Sequence, residues 1–215
     1  MDSQEILQEA ALSFNEGEQY SVLKRRGNLP SLRNNLVSSD KVVTALFAVE
    51  KEAKKQKINY SFEQLLGTWQ LCFVTGTKKT RKKAGIILGT GRYLPQLIKI
   101  TITYRKSEDS NSNKGTVENC VNLKLLKLSL SGPIKFLSPQ NILAFDFTRM
   151  HLELLGITLY NGYIRSGAVK EATFDTDSIK KQAFFTYFFV DKLAIAARGR
   201  GGGLAIWSKV NSTSP

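Results

Sequence analysis

Apolar residues fall at helical spacing over the first third of the chain and at a spacing of two over the rest. Asp2 and Glu5 have the spacing of a capping box, which satisfies backbone N–H groups that a helix start leaves open. Ile6, Leu7, Ala10, Ala11 and Phe14 then share one face, and Gly17 is expected to stop the helix. Val42, Val43, Leu46, Phe47, Val49 and Ala53 predict a second helix, started by Ser38, Ser39 and Asp40. It runs into the lysines of 51–57, which suit the negative end of the helix dipole. Ser61 and Gln64 cap a short turn that ends at Gly67. Each helix has a single apolar face, so both are expected to pack on the sheet that follows.

From Trp69 the alternation is that of strands. Trp69, Leu71 and Phe73 share a face, and Ile98, Ile100, Ile102 and Tyr104 oppose Lys99, Thr101 and Thr103. The run 116–131 changes phase near Leu125 and Leu126, which predicts a β-bulge within one long strand. Further strands are expected at 85–88, 134–137, 142–147, 150–155, 184–190, 193–197 and 204–208. Residues 107–115 read as a mobile hairpin loop and 211–215 as a disordered tail. Many short antiparallel strands after a helical segment mean a mainly β fold, a sandwich or barrel, with helices only at its N-terminus. The expected organisation is a helical segment over 1–66 and a barrel over 67–210.

Composition narrows the function classes. The chain has 215 residues, 42% of them hydrophobic and 23% charged, which suits a globular domain with a real core. No stretch approaches the roughly 20 apolar residues of a membrane-spanning helix. The opening MDSQEILQEA is acidic where a targeting peptide would be basic, so no cleavable segment is expected. Cys72 and Cys120 lie in strand-like runs and read as small buried hydrophobes. His151 has no metal-ligand or triad spacing around it, so no metal, no cofactor and no catalytic residue are expected. The net charge of +13 favours polyanionic partners or an anionic lipid surface.

Two motifs carry the most information. Gly67-Thr68-Trp69 opens the first strand, and Asp191 leads two apolar runs joined by Arg198-Gly199-Arg200-Gly201-Gly202-Gly203. The glycine-rich stretch sits between strands and lacks the following helix of a dinucleotide loop, so it reads as a hairpin turn. It is equally unlike an arginine–glycine RNA box, which belongs to disordered segments.

With these residues the chain resembles the plastid lipid-associated protein family, the fibrillins of plastids and cyanobacteria. Gly67, Thr68, Trp69 and Leu71 match that family's opening Gly-Thr-Trp-x-Leu. Asp191, Arg198, Gly199, Gly202 and Leu204 match its closing strands, and Arg26-Gly27 its N-terminal segment. The chain departs from the family at Ile195, where an arginine is usual, and at Gly201 and Gly203. The resemblance implies a lipocalin-like antiparallel β-barrel and a non-enzymatic carrier or scaffold for a hydrophobic lipid: a carotenoid, a prenylquinone or an acyl lipid. It implies a cytoplasmic protein held peripherally at a thylakoid membrane in a cyanobacterium, or a plastid protein in a eukaryote. The alternative is a bilin-binding chromophore chaperone resembling phycobiliprotein lyases. A third reading is an adaptor whose barrel is simply filled.

On this reading Trp69 plugs the narrow end of the barrel, and an arginine, Arg198 or else Arg200, is expected to cross over it. Phe73, Ile100, Ile102, Phe145, Phe147, Phe185, Tyr187 and Phe189 are the candidate pocket lining, chosen by strand parity. Lys78, Lys79, Arg81, Lys82 and Lys83 form the sharpest basic cluster and are expected to meet anionic lipid. Nucleic acid is not expected as a partner, because no aromatic residue lies among those bases.

Overall fold

The structure is a computed structural model that describes residues 1–24, 36–76, 91–95, 97–108 and 113–210, with side chains of the first helix as far as Asn15. Among these residues are four helices: α1 (Ser3–Lys24), α2 (Ser39–Gln56), α3 (Phe62–Leu65) and α4 (Gly167–Thr173). There are eleven strands: β1 (Gly67–Thr75), β2 (Gly91–Tyr93), β3 (Lys99–Lys106), β4 (Lys114–Leu123), β5 (Leu126–Leu137) and β6 (Ile142–Phe145) come first. β7 (Arg149–Leu154), β8 (Ile157–Tyr163), β9 (Ala183–Val190), β10 (Ala194–Gly199) and β11 (Leu204–Lys209) complete them.

The strand order β4-β3-β1-β11-β10-β9-β6-β5 returns to its start, because β4 also pairs with β5 along its whole length. Eight antiparallel strands thus close into a barrel, with the first strand β1 beside the last strand β11. Closure leaves no edge within the ring, which is how an all-antiparallel sheet avoids unpaired backbone. β2 pairs with β1, and the hairpin β7–β8 branches from β5.

By contact density the residues fall into two compact units, which do not follow the boundary at 66/67. The first comprises Met1–Ile58, Leu71–Gln96 and Phe188–Lys209. Its core sets Leu7, Ala10, Phe14, Val42, Leu46 and Val49 of the two long helices against Phe73, Phe188, Ala196 and Ile206 of the strands. The predicted capping box is made: Asp2 N–H donates to Glu5 at 2.8 Å and Glu5 N–H to Asp2 at 2.8 Å. α2 ends on Lys57 in the left-handed region. The expected stop at Gly17 is corrected, since α1 runs on to Lys24. A glycine inside a helix costs only about 1 kcal/mol, too little to end one alone.

The second unit comprises Asn59–Gln70, Leu97–Tyr187 and Val210–Pro215. Here the reading of 116–131 is corrected. There is no bulge at Leu125: Lys124 and Leu125 form a two-residue turn between β4 and β5, closed by the pair Leu123 and Leu126. A real irregularity falls between β6 and β7, which run in sequence along the same side of β5. Three residues, Asp146 to Thr148, oppose only Gly132 and Pro133 there. A side chain at Gly132 would lie 2.0 Å from the Asp146 carbonyl oxygen, so the bulge requires glycine. β8 and α4 were not anticipated in the sequence. The strand expected at 85–88, the Arg26-Gly27 segment, much of the 107–115 loop and the tail lie outside the described residues.

Candidate functional site

Residues directly opposite in an antiparallel pair present their side chains to the same face. In the second unit this links Trp69 to Ile102, Asn119, Leu130 and Met150 in one row, and Tyr104 to Val117 in the next. The linkage runs on through Ile134 to Phe145, and through Phe136 to Leu143 and Phe185. This face points into the barrel, because the Tyr104 and Tyr187 hydroxyls meet at 2.7 Å although β3 and β9 are not neighbours in the ring.

One end of that interior is filled. Trp69, Tyr104, Tyr187, Val117, Ile134 and Leu143 are essentially inaccessible to solvent. α3 lies at this end, with Phe62 stacked on Phe136 and the Trp69 indole N–H donating to the Leu65 carbonyl at 2.7 Å. Its position is set by a capping box between Ser61 and Gln64, and by Tyr60, whose N–H donates to Asn141 Oδ1 at 2.9 Å. The Ser138 hydroxyl donates to the Tyr60 carbonyl at 3.1 Å. Burial raises the pKa of both lumen tyrosines, so the pair stays protonated and neutral. An aromatic series of ring contacts leads away from Tyr187 through Phe185 and Phe145 to Phe147, at centroid separations of 6.3, 5.1 and 5.3 Å.

The same inward face continues along β4 and β5 to a different environment. Ile100, Val121, Leu128 and Leu152 form one row, and Leu123, Leu126, Leu154 and Ile157 the next. The first of these rows is half-buried, while Leu154 and Ile157 are 40% and 66% exposed. Where the filled end meets this apolar wall sits one orphan polar group. The Asn119 side-chain oxygen is buried and accepts no hydrogen bond from the described residues, an arrangement that costs about 1–3 kcal/mol.

The opposite, outward face of β3, β4, β5, β7 and β8 carries an open cleft of about 490 Å³, lined among others by Lys127, Ser129, His151 and Asn161. Both its arginines are paired, Arg105 with Glu118 at 3.1 Å and Arg149 with Glu171 at 3.3 Å. Burial alone would raise the Glu171 pKa, but hydrogen bonds from Arg149 and Thr148 hold it below the ordinary carboxylate range. Among the described residues no group of His, Cys, Asp and Glu could hold a metal ion.

The parity reading thus places Trp69, Ile100, Ile102, Phe145, Phe185 and Tyr187 on the inward face, and Phe147 against Phe145. Two of the expected lining residues go elsewhere. Phe73 and Phe189 belong to the core beneath the helices of the first unit, where Phe73 packs edge-on against Tyr93 at 5.0 Å. Arg198 is likewise corrected. Its guanidinium bonds both oxygens of Glu50 and donates to the Gly202 carbonyl at 2.6 Å, lying 5.9 Å from the centre of the Phe47 ring. Strand register explains this: Arg198 is opposite Leu204, on the helix-covered face. Burial pushes the Glu50 pKa up, and the bonds from Arg198 and Lys54 outweigh it, leaving the group below the usual range. Lys78, Lys79, Arg81, Lys82 and Lys83 lie outside the described residues. Sequence reasoning missed Asn119, Leu128, Leu130 and Leu152, because it took the β4–β5 turn for a bulge and so lost their register.

No known family's profile matches the chain, and no curated protein matches it. Among solved structures it is similar to a redesigned β-barrel, at 9% identity and a TM-score of 0.34, over 70% of this chain and 96% of that one. The barrel follows from the strand pairing of this chain itself.

Proposed function

We propose that this chain is a non-enzymatic carrier or scaffold for a hydrophobic lipid, seated on the inward face of β4, β5 and β7. One observation carries the reading. The apolar wall that fills one end of the barrel runs on, in the same strands, into half-exposed rows around Leu128 and Leu152. Burying ligand hydrocarbon there supplies affinity at about 25 cal/mol per Å² before ordering costs. The orphan oxygen of Asn119 selects an apolar molecule that also carries a hydrogen-bond donor, such as a hydroxyl. The resemblance to the fibrillins suggests isoprenoid or acyl lipids of a photosynthetic membrane as the physiological class.

Support for the chromophore-chaperone alternative is weaker. The two carboxylates of an open-chain tetrapyrrole need unpaired cations, whereas Arg105 and Arg149 of the outer cleft each face a glutamate, which leaves Lys127 of its lining.

The test is incubation of the purified protein with total photosynthetic-membrane lipid, gel filtration, and mass spectrometry of what is retained. The proposal expects a stoichiometric apolar lipid bearing a donor group. It also expects Asn119→Leu to retain less of that lipid while the unliganded protein gains about 1 kcal/mol of stability. Retention of no lipid by the wild-type protein contradicts the reading.

A further inference from the structure

We propose that the paired tips of the β4–β5 and β7–β8 hairpins form a wedge that inserts into the surface of an anionic lipid bilayer. The two turns stand side by side, with the Leu155 N–H donating to the Leu125 carbonyl at 2.8 Å. Each displays a leucine to solvent, Leu125 at 62% and Leu155 at 64% exposure. Ile157 and Leu159, each more than half exposed, follow the second turn in β8, and the exposed Leu97 precedes Lys99, which pairs with Asn122 near the first. Leu159 is the extra, unpaired residue where the β7–β8 register shifts after Leu152.

The backbone makes these residues unusual. Leu155 and Gly156 have φ of 55° and 80°, the doubly left-handed turn that normally selects Asn-Gly or Asp-Gly. A branched apolar residue there is strained locally and also exposes hydrocarbon to water. Such a choice is explained if the tip works in a medium other than water. Lys124 holds the left-handed position of the neighbouring turn, with φ of 56°.

The shape and charge of the tips favour a bilayer over a protein. The leucines occupy convex turns rather than a groove, and a lasting protein interface buries roughly 800 Å² on each partner, far more than two turns offer. Among the described residues Lys99, Lys124 and Lys127 lie near the tips, with Glu153 directly opposite Lys127, within a chain of net charge +13. Basic residues flanking apolar tips match a phosphate-bearing surface above an acyl interior.

The inference builds on the carrier reading, since a carrier must meet the membrane in which its ligand dissolves, but its test is separate. The experiment is flotation of the full chain with phosphatidylcholine vesicles, with and without phosphatidylglycerol, at low and high salt. The wild-type protein should float with the anionic vesicles, less so in high salt. The double variant Leu125→Ser/Leu155→Asn should lose roughly tenfold or more in partitioning. Lys124→Glu/Lys127→Glu should lose the preference for phosphatidylglycerol.

Asn suits the left-handed position, so the double variant keeps its fold, as circular dichroism should verify. In vesicle-free solution it should still bind a long-chain alcohol as tightly as the wild type. That arm separates the wedge from the ligand wall. The proposal is overturned if the wild type does not float or the double variant floats equally well. It is also overturned if the variant loses the alcohol, or if sedimentation shows a wild-type dimer that the variant turns into monomer.

Discussion

The two ends of the inward face of β4 and β5 are built from the same kinds of residue and meet opposite fates. Near α3, Val117, Ile134 and Phe136 are at most 4% exposed, while beyond Asn119 the leucines are half-buried or open. Apolar alternation alone therefore does not make a core. What differs is the cover. α3 and the Tyr104–Tyr187 bridge close one end, whereas the bulge at Asp146–Phe147–Thr148 marks where β7 and β8 branch from the ring. One end is closed core, and the other stays half-buried or open to solvent.

The comparison breaks most readily by truncation. Phe136→Ala should cost about 3–5 kcal/mol in urea unfolding, since it leaves a cavity beside Phe62 in a closed core. Leu152→Ala on the open rows should cost about 1 kcal/mol. Equal losses at the two sites would mean that the open end is core as well. Next in size is the tyrosine pair: Tyr104→Phe or Tyr187→Phe alone should cost about 1–3 kcal/mol by stranding the remaining hydroxyl, and the double change should recover most of it.

The same pair sets a dependence on pH. Both folded pKa values are raised by burial, so the unfolded chain loses these protons first as pH rises. The contribution is complete below the ordinary tyrosine pKa of about 10 and is lost above it. Urea midpoints of the wild type should fall on that alkaline limb more steeply than those of the Tyr104→Phe/Tyr187→Phe variant. The smallest effect belongs to the open end. Leu155→Asn should leave stability unchanged or raise it by up to about 1 kcal/mol, because it relieves a left-handed leucine.

Much of the barrel could be read in the sequence, and the reasons lie in particular residues. Trp69, Ile102 and Tyr104 alternate cleanly, and the turn at 199–203 announces itself by glycine. The β4–β5 turn does not: Lys124-Leu125 lacks the Gly, Asn or Asp that normally supplies positive φ, so a turn looked like a bulge. β8 escaped for a related reason, since Leu155 disguised its turn and an edge strand with exposed residues has no burial pattern to betray it. Arg198 was given the wrong neighbour because parity does not say which face a helix covers, and Phe73 because parity does not say where along one strand the helix-packed core begins. Asn119 gave no signal at all, because an orphan oxygen is defined only once its surroundings are in place.

The inward face of β4, β5 and β7 is proposed to hold an apolar ligand beyond the filled end of the barrel. Anomalous diffraction from crystals soaked with an ω-bromo long-chain alcohol tests it directly. A bromine peak is expected over Leu128 and Leu152, with the hydroxyl donating to Asn119. A peak between Trp69 and Tyr187, or an alcohol bound only on the outer cleft around His151, would contradict it.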